Sequence, residues 1–135
     1  MTKASHGLPF GYFYVSVKDM DIFPPAAFIF GSLLGSFLNV CIYRVPKGLS
    51  IVRPRSYCPH CRHRIAWYDN VPLLSFLILR GRCRHCHRGI SPRYPLVEFI
   101  TALISLGLYL RYGLSPEYAV SLALASALIV ITFID

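Results

Sequence analysis

Four cysteines are spaced to hold one metal ion. They occur as CPHC at 58–61 and CRHC at 83–86, two C-x2-C pairs with 21 residues between them, one residue beyond the usual zinc-ribbon spacing. The two segments also repeat one another. CPHCRHRI and CRHCHRGI share Cys, His, Cys and Ile at the same offsets. Each reads as a tight knuckle whose backbone N–H groups face two thiolates, so that Cys58, Cys61, Cys83 and Cys86 complete a tetrahedral site for structural zinc. Disulfides and a redox C-x-x-C compete with this reading. The first needs an oxidising compartment and the second a βαβ setting, and neither is expected around this segment. His60, His63, His85 and His87 flank the cysteines, but four thiolates saturate the metal, so the histidines read as solvated neighbours. Cys41, alone in an apolar run, reads as a small buried residue.

A second chemistry needs paired acids. Glu98 interrupts one apolar run and Asp135 ends another. Ionisable groups inside a membrane are costly and are functional candidates for that reason. Two carboxylates at one depth can share a proton and activate water, as aspartic peptidases do. Blander roles stay open at this point: Asp135 as a boundary residue where a span meets water, Glu98 as a partner for Arg93 or another loop cation.

The elements that must carry these groups are apolar. The chain of 135 residues is 55% hydrophobic and 15% charged, with a mean hydropathy of +0.51, and its apolar residues fall in long blocks. Residues 22–43 carry no charge, which as a helix is about 33 Å, enough for a bilayer core. Residues 94–110 are broken only by Glu98, and Tyr118–Ile134 is uncharged. The expected fold is an all-α polytopic membrane protein with three transmembrane helices, 22–43, 94–110 and 118–135, and a small zinc-ribbon-like loop domain over 44–93. An N-terminal tail covers 1–21 and a short external loop 111–117. Asp19 and Asp21 precede the first span, which does not suit a secretory signal.

Charge orients these spans. Eleven Lys and Arg residues and one acid, Asp69, lie between Arg44 and Arg93, against Lys3 and Lys18 in the tail and Arg111 in the short loop. By the positive-inside rule the 44–93 loop is cytoplasmic, and Asp135 reaches the cytoplasmic edge of the membrane. The net charge of +8 is thereby assigned to topology and to anionic lipid headgroups, and no nucleic-acid partner is expected. Gly31, Gly35 and Asn39 share one helix face, a strip that lets helices approach closely and gives an intramembrane amide a partner. Val71–Leu79 is too short to span and reads as a segment on the headgroup boundary or as a cover over the knuckles, with Trp67 and Tyr68 suited to the interface.

GSFLNVCIYRVP at 35–46, CPHC, WYDNVPLLSFLILRGRCRHC at 67–86 and ISPRYPLVEFITAL at 90–103 together resemble the N-terminal half of the type IV prepilin peptidases. The resemblance implies a membrane-embedded aspartic endopeptidase of the bacterial inner membrane. Such enzymes remove the leader peptide of type IV prepilins or type II secretion pseudopilins at the cytoplasmic face. Many also N-methylate the new N-terminus with S-adenosylmethionine. It maps the first catalytic aspartate, in a segment like FID, onto Asp135. The second aspartate of the family, in G-x-G-D, has no counterpart here, so the chain is expected to be the N-terminal portion and inactive alone. A strongly basic loop facing a basic leader leaves Asp69 and Glu98 as the expected contacts for the substrate's positive charge. No glycine-rich strand–loop–helix is present for S-adenosylmethionine, whose site is expected in the cytoplasmic loop. The alternative reading is a non-catalytic membrane scaffold whose zinc knuckles bind a protein partner. A membrane-tethered ribbon that binds nucleic acid ranks behind both.

Overall fold

The computed structural model describes residues 22–134. The tail 1–21 and Asp135 lie outside the described residues. Four helices follow in order: α1 Phe23–Arg44, the short α2 Leu74–Ile78, α3 Arg93–Tyr112 and α4 Pro116–Phe133. Among the described residues there is no strand, only two isolated bridges within the loop. α1, α3 and α4 are each long and apolar enough to cross a membrane.

The ends of these helices follow from local chemistry. Two prolines open α1, where their missing N–H groups are not needed. It gives way to a 3-10 turn, Val45–Lys47, closed by Gly48 in the left-handed conformation at φ 65°. α3 ends where Gly113 turns at φ 63°. α4 starts on Ser115, whose hydroxyl accepts the Tyr118 N–H at 3.4 Å, followed by Pro116 and Glu117.

α1 and α3 lie against each other so closely that side chains are excluded at two points. A Cβ added to Gly31 would stand 2.5 Å from Ser105 Cβ, and one added to Gly35 would stand 2.7 Å from Glu98 Cα. Several polar groups at this contact have partners. Ser105 donates to the Ala27 carbonyl at 2.7 Å and meets the Tyr118 hydroxyl at 2.8 Å, which ties α4 to the pair. Asn39 donates from Nδ2 to the Tyr94 carbonyl at 2.9 Å. Leu38, Ile42, Val97 and Ile129 form the buried apolar cluster, with Phe133 and Ile134 against it. The last turn of α4 therefore sits at the loop end of the bundle, beside the end of α1 and the start of α3. Val120, Leu124, Leu128 and Ile131 remain exposed on the far side of α4, as suits a face turned to lipid.

Candidate metal centre and the cleft beside it

The sequence repeat is a structural repeat. In the first knuckle Cys58 N–H donates to the His63 carbonyl at 3.0 Å and Arg62 N–H to the Cys58 carbonyl at 2.9 Å. In the second, Cys83 N–H donates to the Arg88 carbonyl at 2.9 Å and His87 N–H to the Cys83 carbonyl at 3.0 Å. Arg62 and His87 occupy the same place in each turn, both at φ 57°. Each knuckle is closed by one bridge, Tyr57 with Arg64 and Arg82 with Gly89.

The two knuckles face one another and cross their thiols. Cys58 Sγ lies 3.8 Å from Cys86 Sγ, and Cys61 Sγ lies 3.9 Å from Cys83 Sγ. All four sulfurs fall within 4.8 Å of one another. None is in a disulfide. This group can hold a metal ion. The shared environment splits the thiols. The Cys86 and His85 backbone N–H groups hold Cys83 down to about 7. At Cys61 the His63 N–H also lowers the value, but lost hydration and the three neighbouring thiols prevail and push it up to about 11. A thiolate thus forms readily at Cys83, whereas Cys61 needs a nearby cation to ionise near neutral pH.

The four histidines beside the cysteines are all exposed, and three of them also make contacts across the knuckles. His63 and His85 lie against each other with ring centroids 3.5 Å apart and planes tilted by 37°, and His60 Nδ1 lies 3.4 Å from Arg88 Nη1. Docking of the knuckles forces these contacts, because each CxHC turn projects its histidine toward the other.

Asp69 and Glu98 are separated in character. Asp69 receives a two-pronged contact from Arg84, Nε to Oδ2 at 2.8 Å and Nη2 to Oδ1 at 2.6 Å. The Arg84 hydrogen bonds hold its carboxyl below the usual aspartate range. Glu98 is buried and accepts the Leu73 N–H at 2.9 Å. Among the described residues it makes no ion pair with Arg93 or any other cation; a backbone N–H occupies the place expected for one. Asp135 lies outside the described residues, and its neighbour Ile134 packs at the loop end.

Between the knuckles and the loop ends of α1 and α3 opens a cleft of about 570 Å³, whose lining includes Asn39, Tyr43, Phe76, Arg93 and Glu98. Asn39 Oδ1 and Arg93 Nε are buried without a hydrogen-bond partner among the described residues. Neither this cleft nor the role of Arg44 was foreseen from sequence. Arg44 is buried and clamps the returning chain through the Ser50 and Pro54 carbonyls, at 2.9 and 2.7 Å. Its only signal was an arginine placed where an apolar run stops.

Residues 29–112, from α1 through both knuckles to the end of α3, match the family described as Bacterial Peptidase A24 N-terminal domain. The chain belongs to this family. Among similar proteins of the peptidase family is the Prepilin leader peptidase/N-methyltransferase of Myxococcus xanthus (strain DK1622), 52% identical over 114 residues, covering 84% of this chain and 34% of the relative. The protein of that name from Aeromonas hydrophila is 37% identical over 159 aligned residues, covering all of this chain and 51% of the relative. The one from Klebsiella pneumoniae is 46% identical over 115 residues, covering 80% and 50%. The chain spans about half the length of these curated relatives, or less. No solved structure matches it.

Proposed function

We propose that this chain is the N-terminal portion of a membrane-embedded aspartic endopeptidase that removes the leader peptide of type IV prepilins or type II secretion pseudopilins. The observation that carries the reading is the family match, continuous from α1 through the knuckles to α3. The distribution of positive charge supports a cytoplasmic loop and an inner-membrane location. Asp135, one residue beyond a segment packed at the loop end, is the first catalytic carboxylate. The family's second catalytic aspartate, in G-x-G-D, has no counterpart in these 135 residues, so the partner acid is expected from elsewhere in the protein and this portion alone is not expected to cleave peptides.

Zinc fits the four thiols. A tetrahedral site with Zn–S bonds near 2.3 Å has S–S edges of about 3.8 Å, and the two crossed pairs stand at 3.8 and 3.9 Å. Its role is structural, since four protein sulfurs leave no open position. Glu98, which has no cation partner among the described residues, is better placed than Asp69 to meet a positive charge on the substrate. The relatives' names include N-methyltransferase, and S-adenosylmethionine would supply the methyl group in that reaction. In the cleft, the free acceptor of Asn39 and the free donor of Arg93 fit a ligand that carries both a donor and an acceptor, as its amino-acid end does.

Replacing Asp135 by Asn in the complete protein tests the reading. Prepilin cleavage is expected to fall by at least about 100-fold, with the zinc content unchanged. Cleavage at the unaltered rate would remove Asp135 from the mechanism.

A further inference from the structure

The segment between the knuckles turns much of its apolar surface outward. Trp67–Asn70 forms a 3-10 turn that contacts α2. On one side of α2, Ser75 and Phe76 line the cleft, with Leu79 just beyond. Leu74, Leu77, Ile78, Trp67 and Tyr68 stay exposed, Leu77 at 71% and Trp67 at 81%. In water such a cluster would be a liability.

Its depth identifies what covers it. Leu73, immediately before α2, donates its backbone N–H to Glu98. Glu98 lies in the second turn of α3, a helix apolar enough to span. Side chains lean back toward the start of their helix, so Leu73 sits level with the first two turns of α3, within about 10 Å of its end. Amphipathic elements rest 5–10 Å into the headgroup–acyl boundary. Trp and Tyr favour that boundary. Arg80 and Arg82 follow directly, in a loop of eleven cations and one acid, and so favour anionic headgroups over a basic protein surface.

We propose that residues 67–78 form a strap that dips into the bilayer, with Trp67, Leu74, Leu77 and Ile78 seated in lipid at the headgroup–acyl boundary and Phe76 walling the cleft from the other side. This goes beyond the peptidase reading and does not depend on it. A lipid surface would then help to hold one wall of the cleft in place.

Trp67 is the only tryptophan of the chain, so its emission reports the strap alone. The zinc-loaded chain is reconstituted into vesicles of equal phosphatidylcholine and phosphatidylglycerol, with or without bromine on the acyl chains, and titrated with acrylamide. The brominated lipid is expected to reduce Trp67 emission about two-fold or more, and acrylamide to have little effect. A Leu77→Glu variant that keeps its zinc is expected to lose the lipid quenching and gain the acrylamide quenching. Strong acrylamide quenching of the unaltered chain without lipid quenching would place the strap in water and overturn the proposal. Protection from both quenchers would mean that protein, a partner or a second copy, covers the strap, and would overturn it equally. The unaltered chain decides the matter even if the variant fails to fold.

Discussion

Where α1 meets α3, Gly31 and Gly35 leave no room for a methyl group, and Val97, Thr101, Ala102 and Ser105 are completely buried. Between the two helices the chain runs through the knuckles, and there, among the described residues, Cys58 is the sole buried hydrophobic. The helix pair is held by close backbone approach and by hydrogen bonds from Asn39 and Ser105, which is how helices associate in a medium as apolar as themselves. The loop domain has no such interior. Its knuckles are locally closed by backbone hydrogen bonds, but what joins one knuckle to the other is chiefly four thiols and a contact between two tilted histidine rings. One region carries its stability in its own packing, and the other gathers its sulfurs into a group that can hold a metal ion.

Removing the metal should break this contrast most visibly. Structural zinc sites contribute about 10–16 kcal/mol of apparent binding energy near neutral pH. Chelation is expected to abolish amide protection in both knuckles while the central amides of α1 and α3 keep theirs, as hydrogen exchange in detergent would read. Knuckles that stay protected without metal would show that the loop has a core of its own.

The reverse perturbation is Gly35→Val. Its Cβ would meet Glu98 Cα at 2.7 Å, a backbone atom that cannot rotate away. Overpacking of this kind costs about 1–3 kcal/mol, so a lower thermal midpoint of the helix pair is expected with the zinc still bound. Loss of zinc in this variant would mean that the loop depends on the helix contact as well as on its metal.

The smallest effect is expected at Asp69. Its carboxyl is lowered by Arg84 in the folded chain. The stability it supplies is thus present above the ordinary aspartate value and lost as pH falls through the lowered one. Arg84 is half-exposed, and exposed pairs contribute little. Thermal unfolding of Asp69→Asn should therefore lie slightly below the unaltered chain at neutral pH and coincide with it in acid. A large difference at neutral pH would mark Asp69 as part of the knuckle architecture.

The sequence by itself determined the helical class, three charge-poor runs long enough to span, and a repeated CxHC turn with four cysteines suited to one metal. These are local properties: helix length, hydropathy and turn chemistry are set by residues within a few positions of one another. The small-residue face of α1 was also legible, because a period of four places Gly31, Gly35 and Asn39 on one side. Tertiary structure alone decided that Cys58 faces Cys86 and Cys61 faces Cys83, that Asp69 is taken by Arg84, and that Glu98 is bound by the Leu73 N–H. It also made the cleft and left Asn39 Oδ1 and Arg93 Nε without partners among the described residues. Each of these contacts joins residues 15 to 28 positions apart. At such separations the partner is chosen by how the knuckles and helices dock, a choice that local sequence chemistry does not encode.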